Sequence, residues 1–470
     1  MVRSALARRL RLVLAAQLIL TLAGLAPVAL AAGGPPATPS ATAAPAPPSS
    51  TAAPRAITPA GAAPAAAAGP NGGAAPNTPS LPPGMGLLPW YPLWGATLTD
   101  RMALAVNLSN GNLIVHSTDL AIKGTGLDLV VDRYYNNLAN APAGGFGSVA
   151  DGWSLGVGQD VHLDVGTNTY TGPSGAQFAF TANGGGAYLS PPGIDATLAQ
   201  NGDGTFTLTS HASGVKEIFS ATGALVAVTD QNGNSIGFSS IPPLRLQPAG
   251  GLSTITDTQG RAVGVTGYSN LSLIAGLRDP AGRTVQYTTD GSADLTAFTD
   301  AAGQQTLYGY DHLTRHNLAQ ITDPNGQVTA LGYDASKRVT SITLGSGSAV
   351  AATYTFTYNS GNTVVTDPNN HQTTYAYDGQ DRLTAVTDAL GNSQQLSWTA
   401  DNHVQQATDA KGQPFLYGYD ANNNLTSYQL PTGATTHWQY RDASHPYSPT
   451  SVTDPQGNVV GYHYTAAGNV

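Results

Sequence analysis

The sequence predicts an all-β chain: repeated antiparallel hairpins form a curved, spiralling sheet behind a compact β-domain and a disordered N-terminal segment. Three observations predict it. First, an Asp that usually follows Thr recurs at Asp230, Asp257, Asp279, Asp300, Asp323, Asp367, Asp388, Asp409 and Asp454, with gaps of 27, 22, 21, 23, 44, 21, 21 and 45 residues. Each long gap is two ordinary ones with a degenerate copy inside, around Leu344-Gly345 and Leu430-Pro431-Thr432-Gly433. Second, an aromatic keeps the same beat at Tyr287, Tyr310, Tyr333, Tyr358, Tyr377, Trp398, Tyr419, Tyr440 and Tyr464. Two markers in phase over more than 200 residues define a repeat array. Third, Glu217 is the only Glu among 28 acidic residues, Lys occurs four times and Gly 55 times. Helix formers are scarce and turn formers abundant.

One repeat shows the element. In "DRLTAVTDALGNSQQLSWTAD", Asp381 to Asp401, Leu383, Ala385 and Thr387 alternate with Thr384 and Val386. Gln394, Leu396 and Trp398 alternate with Gln395 and Ser397. A period of two is the strand signal. Between the runs lies Asp-x-x-Gly, as at Asp323–Gly326, Asp388–Gly391, Asp409–Gly412 and Asp454–Gly457. Asp accepts backbone N–H groups at the start of a type I turn, and Gly tolerates positive φ at its end. Asp367 starts a related turn. A lone hairpin is marginal in water, so stacked neighbours must share a buried face. Tyr375 with Tyr377, Tyr417 with Tyr419, and Tyr462 with Tyr464 are spaced to share a face and pack against equivalent pairs next door.

The front of the chain reads differently. Residues 1–31 carry Arg3, Arg8, Arg9 and Arg11, then an apolar stretch from Leu12 to about Leu25, then Ala29-Leu30-Ala31. That order is a secretory signal peptide, cut between Ala31 and Ala32, with an uncleaved anchor as the alternative. The membrane then enters only transiently, through the signal. Residues 32–89 are mostly Ala, Pro, Gly, Ser and Thr, with Arg55 the only charge among them, and read as unable to bury a core. Residues 90–245 alternate as a compact β-domain, and residues 246–470 carry the clear repeats, with "IPPLRLQPAGG" (Ile241 to Gly251) as a joint. The chain has no Cys, so stability rests on apolar burial and sheet hydrogen bonds. Losing four Arg with the signal takes the formal charge from −9 to −13, which argues against nucleic acid as a partner.

A Tyr-Asp-x-x-x-Arg phrase alternates with the Asp-x-x-Gly turns. "YDASKR" (Tyr333, Asp334 to Arg338) and "YDGQDR" (Tyr377, Asp378 to Arg382) are intact, and "YDANNN" (Tyr419, Asp420 to Asn424) keeps the first half. This pattern resembles the RHS, or YD-repeat, family. The upstream residues Gly111-Asn112-Leu113, Asp119-Leu120, Arg133-Tyr134-Tyr135-Asn136 and Gly152-Trp153-Ser154 resemble the domain of unknown function that precedes such repeats. The resemblance covers roughly residues 100–470. It implies a β-sheet spiralling into a hollow shell, as also in teneurins, which in bacterial polymorphic toxins encloses a C-terminal toxic enzyme. The family's autoproteolytic core and toxin are absent from this sequence, which reads as a truncated array. The resemblance therefore implies the rest of the shell and a toxin as partners. The alternative is an adhesin or carbohydrate-binding module that uses exposed Tyr and Trp on extracellular glycans.

No H-E-x-x-H, G-x-S-x-G, Walker or Rossmann glycine pattern is present, so neither an enzyme nor a cofactor is expected. His312 and His316 fall in a turn and read as surface residues rather than metal ligands. The periodic Asp residues read as turn starters rather than glycosidase carboxylates or calcium ligands. The array is expected to be open and curved without an enclosed cavity, its last hairpin the least protected.

Overall fold

The computed structural model of the chain describes residues 84–139, 147–241, 251–311 and 317–470. The signal peptide with Ala31 and Ala32, nearly all of the segment 32–89, the residues 242–250 of the joint, and His312 and His316 lie outside the described residues. Every sheet is antiparallel.

The first sheet has five strands in chain order: β1 (Leu93–Thr97), β2 (Met102–Asn107), β3 (Leu113–Ile122), β4 (Leu129–Asn136) and β5 (Trp153–Leu155). β2 reads "MALAVN" and every residue of it is buried. Met102, Leu104 and Val106 point into the main core, while Ala105 packs on the other side with Leu87, Ile114 and Tyr134. A strand covered on both faces needs a continuous apolar run rather than an alternating one. Three short strands follow (His162–Asp164, Thr169–Thr171, Gln177–Ala179) and pack in a second core with Trp90, Phe206 and Phe219.

Twenty-five strands, from Ala196–Gln200 to Val459–Gly461, then form one sheet in which each strand pairs with its neighbour in the chain. Hydrogen bonding runs unbroken across residue 246: Ser235–Ile241 pairs with Gly251–Thr256. Short turns join most consecutive strands, which therefore pair with each other. Alternation sets the faces. In Gln305–Asp311, Thr306 and Tyr308 are buried while Gln305, Leu307 and Gly309 are exposed. The apolar face curves around β1–β5, so Ile255, Leu277, Val285, Leu295, Ile321 and Ile342 share one core with Leu104, Val115 and Val131. The first and last strands are not paired to each other, so the ladder is open. Its outermost strand exposes Val459 (63%) and Val460 (55%).

The two turn phrases of the sequence are one structure. At Asp323 the backbone N–H donates to Gln327 O (2.9 Å), and Gly326 N–H returns to Asp323 O (2.9 Å). Asp323 Oδ1 accepts the N–H of Asn325 and of Gln327, both at 2.8 Å. At Asp334 the same four bonds run to Arg338, Lys337 and Ser336 at 2.9–3.0 Å, and Arg338 Nε adds a fifth to Asp334 Oδ2 (2.8 Å). Asp378 with Arg382, Asp388 with Asn392, Asp420 with Asn424 and Asp454 with Asn458 repeat that fifth bond. At Asp334 and Asp378 partial burial would raise the carboxyl pKa. The backbone N–H groups and the Arg guanidinium outweigh it, so both stand below the ordinary value.

The fourth position of each turn is left-handed: Gly326 has φ 78°, Gly391 85°, Gly412 77° and Gly457 87°, against 63° at Lys337, 62° at Asp381 and 63° at Asn423. This is a type I turn followed by one αL residue, the three-residue hairpin loop. Nothing lies near the position of an added Cβ at Gly326. Gly326→Ala should therefore cost only the backbone strain, ~1 kcal/mol. A denaturant midpoint equal to that of the parent would contradict the assignment.

Candidate functional site

The repeats needed a second device, which sits at the Tyr-Asp end of each hairpin. Tyr333 pairs with Val339, Tyr377 with Leu383, Trp398 with Val404 and Tyr419 with Leu425, each next to a register shift. The shift leaves one extra residue on the second strand (Thr340 in the first case), a β-bulge. The aromatic, beside this bulge or without one at Tyr358, reaches back across the strand that precedes it. Tyr333 Oη donates to Leu318 O (2.7 Å), Tyr358 Oη to Val339 O (2.7 Å) and Trp398 Nε1 to Leu383 O (2.7 Å). Tyr419, Tyr440 and Tyr464 reach Val404, Leu425 and Pro449 at 3.0, 3.1 and 2.7 Å. In five cases the carbonyl lies 15 residues upstream.

Tyr417 packs on Tyr428 of the next hairpin, ring centres 5.1 Å apart, and Tyr419 lies in the same apolar cluster with its hydroxyl bonded to Val404 O of its own hairpin. The expected contact next door is thus made by Tyr417 to a single tyrosine, and not to an equivalent pair. Tyr333→Phe keeps the ring and leaves the buried Leu318 carbonyl short of a donor. We expect a loss of ~1 kcal/mol in a urea titration; no loss would show the hydroxyl bond to be idle.

The residue after each of these turns also offers its N–H, and the N-terminal sheet takes four of them. Ile274 N–H donates to Ser148 O (2.8 Å), Val339 to Gly111 O (3.1 Å) and Leu383 to Trp90 O (2.8 Å). Leu318 N–H donates to Tyr135 Oη (3.0 Å). Asn137 Nδ2 reaches Lys337 O (2.6 Å), and Thr363 Oγ1 reaches Leu108 O (2.5 Å). Four hairpins thus each give one N–H to the N-terminal part of the chain and seat it inside the curve of the array.

The centre of that seat is a buried ion pair. Arg133 Nε lies 2.9 Å from Asp119 Oδ2, and neither side chain is exposed. Asp119 also accepts the Tyr287 hydroxyl (2.8 Å), and Arg133 Nη2 donates to Tyr308 Oη (3.2 Å). The guanidinium is held between Trp153 (4.6 Å) and Phe298 (4.7 Å). Trp153 in turn donates through Nε1 to Tyr310 Oη (2.8 Å) and leans on Tyr135 and Tyr308. Asp119, Arg133, Tyr135 and Trp153 come from β3, β4 and β5; Tyr287, Phe298, Tyr308 and Tyr310 come from the array. Burial raises the Asp119 carboxyl pKa, and the Arg133 charge and the hydroxyl bond oppose that rise. Asn112 and Asn136 lock the neighbouring loops, Asn112 Nδ2 to Asn136 Oδ1 at 2.9 Å.

A second buried carboxyl secures the loop after β5. Asp160 Oδ2 accepts Leu155 N–H (2.6 Å) and both the N–H and hydroxyl of Ser148. Burial pushes it up to about 6, against the pull of those donors. The folded chain thus holds a proton that the unfolded chain, with an Asp near 3.9, has lost. Stability from this group is therefore greatest below about pH 4 and falls by up to ~3 kcal/mol as pH rises past 6. The advantage of the parent over Asp160→Asn should shrink by that amount between pH 4 and 7 in denaturant titrations. A constant difference would contradict it.

The sequence residues Gly111, Asn112, Asp119, Arg133, Tyr135, Asn136, Gly152 and Trp153 are thus brought together at the seat. Asp323, Gly326, Tyr333, Asp334, Arg338, Asp367, Tyr377, Asp378, Arg382, Asp388, Gly391, Asp409, Gly412, Tyr419, Asp420, Asp454 and Gly457 are spread over the turns and strand ends of the array. Sequence reasoning took Tyr287 only as a marker of the repeat and missed Phe298, Tyr308 and the N–H row. The constant interval of 15 residues between aromatic and apolar positions was the available signal. Among the described residues, no three His, Asp or Glu side chains come together as a metal site, and no helix is long and apolar enough to cross a membrane.

Comparison with known proteins adds two family matches. Residues 104–180 match the domain of unknown function DUF6531, and residues 312–349, 358–393 and 398–435 match the RHS Repeat. No curated protein matches the chain. Among solved structures, the Tc holotoxin pore of Photorhabdus luminescens is similar over 77% of this chain and 23% of that one, at 10% identity and TM-score 0.33. The TcdB2-TccC3 structure is similar over 76% of this chain and 23% of that one, at 10% identity and TM-score 0.31. The chain spans less than a quarter of either. The chain thus carries a DUF6531 match seated in the curve of a sheet that carries three RHS Repeat matches.

Proposed function

We propose that this chain is a non-catalytic scaffold, exported to the cell surface or beyond, and that it forms the N-terminal part of a shell for a C-terminal toxin. The observation that carries the reading is the direction of curvature. The apolar face of the array turns inward around β1–β5, and the polar face with its Thr and Gln turns outward. A sheet so arranged walls off an interior, with the N-terminal sheet occupying one part of it through the Asp119–Arg133 cluster. The repeats act on a cargo by enclosing it, since their side chains are spent on turns and on links between hairpins. Export rests on the order of charged, apolar and Ala-Leu-Ala segments in residues 1–31.

An antibody against residues 317–439 tests this on the native product. The reading predicts a product outside the cytoplasm that begins at Ala32 and shields a further polypeptide from added protease. A cytoplasmic product that still carries Met1, or a glycan-binding product with no shielded polypeptide, would overturn it.

A further inference from the structure

The array returns to its own beginning, and that closure is made by side chains. Tyr447, between the strands Thr435–Gln439 and Ser451–Thr453, stacks on His211, ring centres 3.4 Å apart and 9° from parallel. His211 Nε2 lies 2.9 Å from Thr197 Oγ1, and that hydroxyl lies 3.5 Å from Tyr447 Oη. Asn469 bridges Gln231 (2.9 Å) and Asn232 (2.7 Å). His403, in the turn before Val404, lies 3.3 Å from Asp195. The residues joined at Tyr447 and Asn469 are 236–250 positions apart in the chain.

We infer that this seam is an acid-released latch: protonation of His211 frees the Tyr447 loop. The geometry carries the release. His211 Nδ1 is buried with no hydrogen-bond partner, so a second ring proton there has no acceptor. Four ionisable groups bear on this histidine and its loop: the Asp195 carboxylate just before the first strand pair, Tyr447, and His445 with Asp442, 2.9 Å apart. Burial outweighs the Asp195 charge and lowers the His211 pKa to about 4. His403 faces Asp195 and, from the side, the Tyr419 ring at 5.0 Å. For His211 the sign is clear: a folded pKa below the unfolded value near 6.5 means stability lost as pH falls below that value. Acid therefore loosens the His211 side of the seam.

Hydrogen exchange on the full chain between pH 7.5 and 4.5, corrected for intrinsic rates, tests this. Protection of residues 440–450 should fall at least tenfold relative to residues 425–439. Tyr447→Leu should give the low, pH-independent protection already at pH 7.5, and His211→Phe should keep protection high throughout. Protection in 440–450 that does not change with pH, or the same pH dependence in both variants, would overturn the latch. Should His211→Phe fail to fold, the parent profile and Tyr447→Leu decide the matter alone.

Discussion

Arg133→Ala is expected to cost ~3–5 kcal/mol, because it leaves the Asp119 carboxylate buried without its counter-charge. Both side chains are fully buried, and the Tyr287 hydroxyl alone would then face the charge. The loss should be shared by both parts of the molecule, since Tyr287 and Tyr308 belong to the array and Asp119 to the N-terminal sheet. A neutral replacement of the pair separates charge from packing. Arg133→Met with Asp119→Asn should recover much of the loss, because a buried ion pair often does no better than an apolar pair of similar size. Chemical denaturation of the two single variants and the double variant reads this directly. Equal losses for the double variant and for Arg133→Ala would mean that packing, and not the unpaired charge, decides the effect.

Trp153→Ala should be comparably damaging, ~3–5 kcal/mol, through a different mechanism. Trp153 is fully buried, and its ring supports Arg133, Tyr135 and Tyr308 at once. Removing it opens a cavity that a β-sheet sandwich cannot easily collapse, and strips Tyr310 of its indole donor. Trp153→Phe keeps most of the apolar contact and should lose clearly less. Thermal unfolding followed by calorimetry ranks the three proteins. If alanine and phenylalanine are equivalent, Trp153 is not the support described.

The array was legible because its physics is local. Asp, Gly and Pro mark turns through their own backbone preferences, and Leu383, Ala385 and Thr387 show their strand by alternation alone. The unity of the two turns was less legible. Gly326 announces a positive φ, but Lys337 and Asp381 adopt it without the residue type that signals it. There the Arg338 and Arg382 bonds to the turn Asp help to hold a conformation that the backbone alone would resist. The seat was legible only as a recognisable set of residues. Nothing near Arg133 in the sequence points to Phe298 or Tyr308, which lie 165 and 175 residues away. The seam is the extreme case: His211 and Tyr447 carry no shared pattern, and only the accumulated twist of the sheet brings them together.

The central claim is that the array is seated on the N-terminal part of the chain through one backbone N–H from each of four hairpins. Site-resolved hydrogen exchange of the amides of Ile274, Leu318, Val339 and Leu383 tests it most directly. The account predicts that all four exchange as slowly as ladder amides such as those of Ile321 and Val365, and that Arg133→Ala speeds them together while the more distant Val386 and Ala407 keep their rates. Fast exchange of the four in the parent protein, or their indifference to Arg133→Ala, would contradict it.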